Sequence, residues 1–182
     1  MPPQSDIRCA ELAITRAGMG AVPDVYALIR DIAQWLIDRG DALWGDEEIS
    51  RDELVRVARA GELITGRVAG TLAACMYLHH EDRVFWPEAR PGEALYVHRL
   101  GVARQFAGAG YSHAMLDWAV REAKQMGRDF VRLDCEPRPK LLALYRDEGF
   151  VLVDPGPVQV GRHWVVRQQK ATSSGQDILR FM

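Results

Sequence analysis

Gln105-Phe106-Ala107-Gly108-Ala109-Gly110 is a short glycine loop between two strongly patterned runs. Ahead of it lies Ala94-Leu95-Tyr96-Val97-His98-Arg99-Leu100-Gly101-Val102, an apolar run of strand type. Behind it, Tyr111 to Met126 reads as a helix, with Gly127 as its C-terminal cap residue. A strand, a glycine loop and a helix N-terminus in that order form an anion cradle. Glycine lets the backbone approach a ligand closely. The first N–H groups of a helix have no intrahelical partner and sit at the positive end of its dipole. A diphosphate is the natural guest.

Two other diphosphate loops do not fit these residues. The dinucleotide fingerprint G-x-G-x-x-G needs a small third residue, and after Gly108 and Gly110 that position is His113. A P-loop needs G-x-x-x-x-G-K-[ST], and no lysine follows here.

Working outward, a first strand is expected at Leu12 to Thr15. Pro23 and Asp24 start a helix whose Val25, Leu28, Ile29, Ile32, Leu36 and Ile37 fall at helical spacing up to Arg39. A loop rich in tryptophan and acid follows, Asp41 to Glu48. Ser50 with Glu53 makes a capping box for a helix from Arg51 to Ala60. A hairpin is expected next, with strands Glu62–Thr65 and Val68–Leu78 around a turn at Gly66-Arg67. His79 to Pro91 is a polar loop. Beyond the long helix, Phe130–Cys135 reads as a strand and Lys140–Glu148 as a short helix. Phe150–Val153 and His163–Gln168 are two final strands joined by a Pro/Gly loop, Asp154 to Gly161. The order predicts an α/β chain of the α+β kind, a mostly antiparallel mixed sheet flanked by helices. One domain over residues 1–170 is the expectation, followed by a tail, 171–182, whose Ile178, Leu179, Phe181 and Met182 could dock on the body or on a partner.

The 182 residues are 48% hydrophobic and 26% charged, an ordinary globular balance. A formal net charge of −2 with scattered basic residues argues against a nucleic-acid binder. No run reaches transmembrane length, and Met1 to Asp6 lacks the apolar core of a signal peptide. Cys9, Cys75 and Cys135 form no C-x-x-C pair, so neither a zinc knuckle nor a disulfide framework is suggested. Cys75 and Cys135 sit in apolar runs as buried thiols, and a reducing cytoplasm is the expected location. His79-His80-Glu81-Asp82 has the composition of a metal cluster but no companion ligand motif, so no metal is expected.

A second motif gives the loop its ligand. Leu144-Tyr145-Arg146-Asp147-Glu148-Gly149-Phe150 closes the short helix that follows the next strand. With it the chain resembles the GCN5-related N-acetyltransferase (GNAT) family. The family's acyl-CoA signature, [QR]-x-x-G-x-[GA] at the start of a helix, is matched by Gln105 to Gly110. Its later L-Y-x-x-x-G-F is matched by Leu144, Tyr145, Gly149 and Phe150. The order of strands and helices agrees from Leu12 to Gln168.

The resemblance implies a GNAT-like acyl-CoA N-acyltransferase fold and acetyl-CoA as cofactor. The diphosphate would lie on the backbone of Gln105, Phe106, Ala107, Gly108, Ala109 and Gly110, with Tyr111 and Ser112 opening the helix. Arg104 would add a charged contact or stay solvated. The pantetheine arm would pair with the backbone of Leu100 and Val102 by strand addition, beside a bulge that Gly101 suits. Tyr145 stands where the family carries its general acid and would protonate the departing thiolate. The base is left to the strand interior. Family members often use a glutamate there, whereas this chain offers Tyr96 and His98, with Glu93 at the edge. His98 is the candidate because histidine titrates near neutrality. Family members often have Asn seven residues before the tyrosine, and this chain has Arg138, a side chain able to reach a CoA phosphate or to face solvent. The first two helices and their loop would wall the acceptor. Trp35 and Trp44, with Asp38, Asp41, Asp46, Glu47 and Glu48, would suit a cationic amine by cation–π and charge attraction.

The expected activity is acetyl transfer from the CoA thioester to a primary amine of a small molecule. A non-catalytic acyl-CoA-binding or sensing module and a peptide or protein N-acetyltransferase are the alternatives. A homodimer is compatible with the sequence.

Overall fold

The computed structural model describes residues 11–45 and 48–173. Cys9, Asp46, Glu47 and the tail beyond residue 173 lie outside the described residues. The architecture is mixed α/β, with a mostly antiparallel sheet and flanking helices, as the sequence predicts. The strands are β1 (Ala13–Arg16), β2 (Leu63–Val68), β3 (Thr71–His79), β4 (Ala94–Val102), β5 (Phe130–Cys135), β6 (Val151–Leu152), β7 (Val158–Val160) and β8 (His163–Ala171). The helices are α1 (Val22–Asp38), α2 (Arg51–Arg59), α3 (Tyr111–Gln125) and α4 (Pro139–Asp147). Two compact units share these elements. The first runs to Tyr77 and resumes from Arg99 to Met115, and the second holds Leu78–His98 and the chain from Leu116 onward.

In the first unit β1, β2 and β3 pair antiparallel in that order. Helix α1 opens with Pro23 in its first turn, where a missing N–H costs nothing. Its Val25, Leu28, Ile29 and Ile32 are buried in a core shared with Leu54, Val57, Leu63 and Cys75. Ser50 caps α2, its Oγ accepting the Glu53 N–H at 3.3 Å. The hairpin turn is Ala69-Gly70, not Gly66-Arg67, and both turn residues have positive φ, 47° and 82°. Gly66 lies inside β2 at a register shift. A Cβ there would come within 3.0 Å of Leu12, so the glycine serves close packing and not a turn.

In the second unit β4 and β5 pair in parallel from Ala94↔Phe130 to Val97↔Leu133, where the pairing ends. Antiparallel to β8 lie β5, β6 and β7. Strand β7 falls inside the expected Pro/Gly loop, because Pro155, Gly156 and Pro157 hide a three-residue alternation. Trp86, 1% exposed, packs with Ala94 and Tyr96, and the guanidinium groups of Arg132 and Arg167 lie 4.8 and 5.0 Å from its ring. Arg167 also donates to both oxygens of Asp154, at 2.7 and 2.8 Å, to Glu88 at 2.6 Å and to the Phe85 carbonyl at 3.1 Å. Among the described residues no helix is long and apolar enough to cross a membrane.

The two buried cysteines set an alkaline limit on stability. Burial pushes each thiol from 9.0 up to about 12. A raised folded value means the contribution is complete below the unfolded thiol value and is lost as pH climbs toward the folded one. Unfolding free energy is therefore expected to fall above pH 9.0, by up to about 1.4 kcal/mol per pH unit for each thiol. Urea titrations across this range test it. Cys75→Ala should flatten the slope, and an unchanged slope would contradict the assignment.

Candidate active site

The glycine loop begins as a 3-10 turn at Arg104–Phe106. The amides of Phe106, Ala107 and Ala109 are spent on the carbonyls of Ala103, Arg104 and Phe106. Gly108 and Gly110 both have φ of +79°, a region that favours glycine. Helix α3 starts at Tyr111, and the Ala114 N–H is already bonded to the Gly110 carbonyl. Among the described residues the amides of Gly108, Gly110 and Ser112 have no backbone acceptor, and they sit at the positive end of α3. The rings of Phe106 and Tyr111, both buried and 5.9 Å apart, pin the loop from below. Gln105 and Ala107 are exposed, and Ala109 and Ser112 half-buried. Of the eight residues from Gln105 to Ser112, Phe106, Ala107 and Ala109 thus have their amides bonded within the loop.

Strand β4 changes character at Arg99, whose φ is 51°. The distortion expected at Gly101 sits two residues earlier, on a side chain with a Cβ. Gly101 serves packing instead. A Cβ there would lie 2.8 Å from the Ile32 Cδ1 and 3.9 Å from Trp44. Its bareness admits α1 and the α1–α2 loop against the strand. Leu100 and Val102 flank it, half-buried.

The Arg99 guanidinium donates to the Glu48 carbonyl at 2.6 Å and lies 5.5 Å from the Trp44 ring. Trp35 faces Arg104 at 3.5 Å and Arg39 at 5.0 Å. The aromatic faces read from sequence as a seat for a cationic amine already carry cations of this chain. Nearby acids are engaged too. Asp38 accepts from Gln34, and the Glu48 carboxylate accepts the Gly45 N–H.

In the second unit His98 faces two carboxylates. Its Nε2 is 3.1 Å from Asp82 Oδ2, and its Nδ1 is 3.9 Å from Asp134 Oδ1. The Asp82 side chain is 6% exposed and accepts the N–H groups of Val84 and Phe85, at 3.0 Å each. Burial alone raises its carboxyl, but the hydrogen bonds from His98 and these amides outweigh burial and hold it below the usual value. Ionised Asp82 only accepts, so Nε2 carries the hydrogen and a neutral ring keeps its lone pair on Nδ1. The donor atoms of Asp82, His98 and Asp134 lie within 4.8 Å of one another. Because the carboxylates address different ring nitrogens, the arrangement suits a proton path better than a chelate.

Tyr145 lies on α4, 8% exposed, its ring edge-on to Phe150 at 6.0 Å. Burial, then the charges of Cys135 and Asp134, push its phenol well above the ordinary tyrosine range. It therefore stays protonated through neutral pH. Glu93 is held by Arg132 at 2.8 Å, which keeps its carboxyl below the usual value. Arg138 is tied to Glu136, at 2.7 Å from Nε. Sequence reading missed Asp82 and Asp134 as partners of His98 and missed the distortion at Arg99. Only the acidic end of the His79–Asp82 run hinted at the first.

A glycine turn opening a helix, with the amides of Gly108, Gly110 and Ser112 unclaimed by backbone among the described residues, is a geometry that suits an anion. The acetyltransferase (GNAT) family model matches residues 26–150. The uncharacterized N-acetyltransferase YesJ of Bacillus subtilis (strain 168) is 30% identical over 147 residues, covering 73% of this chain and 82% of that one. A GNAT-family acetyltransferase from Listeria monocytogenes 4b F2365 superposes with a TM-score of 0.75 at 24% identity, over 89% of this chain and 95% of that one. The putative acetyltransferase yncA of Salmonella typhimurium, solved with its cofactor acetyl-CoA, gives 0.68 at 15% identity, over 91% and 96%. The chain belongs to the GNAT family of acetyltransferases and is an acetyl-CoA-dependent acyltransferase.

Proposed function

We propose that the chain transfers an acetyl group from acetyl-CoA to the primary amine of a small molecule in the cytoplasm, by direct attack. The amides of Gly108, Gly110 and Ser112 take the diphosphate, and the backbone of Leu100 and Val102 takes the pantetheine arm. His98 accepts the proton of the attacking amine at Nδ1, with Asp82 fixing the ring through Nε2. The N–H of Leu100 or Val102 meets the oxyanion. As the C–S bond breaks, Tyr145 gives its proton to the thiolate. The proton gained at His98 balances the one lost at Tyr145, and its return to the phenolate through solvent restores both groups before the next turnover. The observation that carries this reading is Tyr145: a buried phenol held protonated at the end of an L-Y-x-x-x-G-F helix.

Thermal shift and thiol release test it. Acetyl-CoA and CoA should both raise Tm, because each binds only the folded state. Free thiol should then appear with some members of an amine panel. No shift with either ligand defeats the donor site. A shift without thiol from any amine supports a non-catalytic binding module instead. His98→Ala should flatten the alkaline rise of kcat/KM, and an unchanged profile removes His98 from the chemistry.

A further inference from the structure

Arg104 lays a cation on an aromatic ring from a distant part of the same unit. It opens the 3-10 turn Arg104–Phe106 at the head of the glycine loop, and its guanidinium carbon lies 3.5 Å over the Trp35 ring. At that distance the flat guanidinium can only lie parallel to the ring, because a tilted one would push a nitrogen into it. A parallel stack spends the face of the group and leaves its N–H donors pointing outward in the plane. Arg104 is exposed, so these donors are accessible. The Ala107 N–H bonds back to the Arg104 carbonyl at 3.1 Å. One tight turn therefore ties the cation to Gly108, whose amide has no backbone acceptor among the described residues. Arg39 lies 5.0 Å from the same ring. Its place has a local reason, one turn past Trp35 at the C-terminus of α1, where a cation suits the helix dipole. Arg104 has no such local reason, and it brings a second positive charge to the ring against the repulsion of the first.

We infer that this stack is a second phosphate site beside the glycine cradle, taking the 3′-phosphate of CoA. Arg104 contacts the phosphate, Trp35 is the positioning residue that holds Arg104, and Arg39 adds charge. The inference rests on the donor-site reading above. Each phosphorus of the diphosphate carries a single charge, which the amides of Gly108, Gly110 and Ser112 and the dipole of α3 can meet. A phosphomonoester is close to doubly charged at neutral pH and offers three acceptor oxygens. It suits two guanidinium groups, whose planar donors pair with phosphate oxygens. Trp35 then serves the donor and not the acceptor wall.

Calorimetric titration with CoA and with 3′-dephospho-CoA tests this without turnover. The wild type should bind CoA about 10-fold more tightly than 3′-dephospho-CoA. Arg104→Gln should remove most of that ratio by weakening CoA alone. Arg104→Lys, which keeps the charge and loses the planar stack, should fall between. Trp35→Leu should weaken CoA by about threefold, and Trp35→Phe, which keeps an aromatic face, by less. Adding Trp35→Leu to Arg104→Gln should cost nothing more, because the ring acts through the guanidinium. A wild type that binds both ligands equally overturns the inference. So does an Arg104→Gln that weakens both alike, because the charge would then serve the diphosphate. A Trp35→Leu that raises KM for the amine and leaves Kd for CoA unchanged also overturns it. If neither ligand binds the wild type, the donor site itself fails, a result distinct from any change in the ratio between ligands.

Discussion

Tyr145→Phe is expected to lower kcat by about 10²-fold or more, with KM for acetyl-CoA nearly unchanged. The substitution removes one hydroxyl and leaves the ring edge-on to Phe150. Stability should therefore hold while chemistry fails. Burial first, and the neighbouring charges second, keep the phenol protonated well beyond neutral pH. Its own ionisation should thus not limit activity in the ordinary tyrosine range. The loss should be confined to departure of the thiol. An acyl donor whose thiol is more acidic needs less help from an acid, and should recover much of the deficit. A variant with unchanged kcat, or one whose Tm falls with its activity, would remove Tyr145 from the role of acid.

Arg167→Met is expected to give the largest loss of stability, about 2–3 kcal/mol. Methionine keeps an apolar stem against Trp86 but strips the charge from Asp154 and Glu88 and the donor from the Phe85 carbonyl. The Asp154 side chain is 17% exposed, so its stranded carboxylate is not fully rehydrated, whereas Glu88, at 58%, is. The Arg167 hydrogen bond is the largest influence on Asp154 and holds its carboxyl below the ordinary 3.8. A depressed folded value contributes stability above that pH and loses it as pH falls through the folded value. The gap between wild type and variant should therefore be full at neutral pH and narrow under acid. Urea unfolding at both conditions measures it, and equal midpoints at neutral pH would refute the assignment.

What was legible in the sequence was local. The capping box at Ser50, the proline start of α1 and the glycines before α3 each satisfy a backbone need within a few residues. Each could be read without knowing the fold. The helix end at Leu144–Phe150 was legible too, with Gly149 at a positive φ just after α4. What failed depended on neighbours far along the chain. Gly66 looked like a turn residue because nothing in its sequence reveals Leu12 lying over it. Asp82 and His98 are 16 positions apart and meet through a loop fold. Asp134 reaches His98 from β5, whose register with β4 no local pattern encodes. The arginines on Trp35 and Trp44 arrive from β4 and the glycine loop, so rings that looked open in sequence are covered in space.

The left-handed backbone at Arg99 has a consequence for any laboratory evolution of this enzyme. An L-residue there carries strain of about 1 kcal/mol that glycine would not. Arg99→Gly would relieve that strain but lose the Glu48 hydrogen bond and the Trp44 contact, so libraries screened for heat resistance alone should keep the arginine.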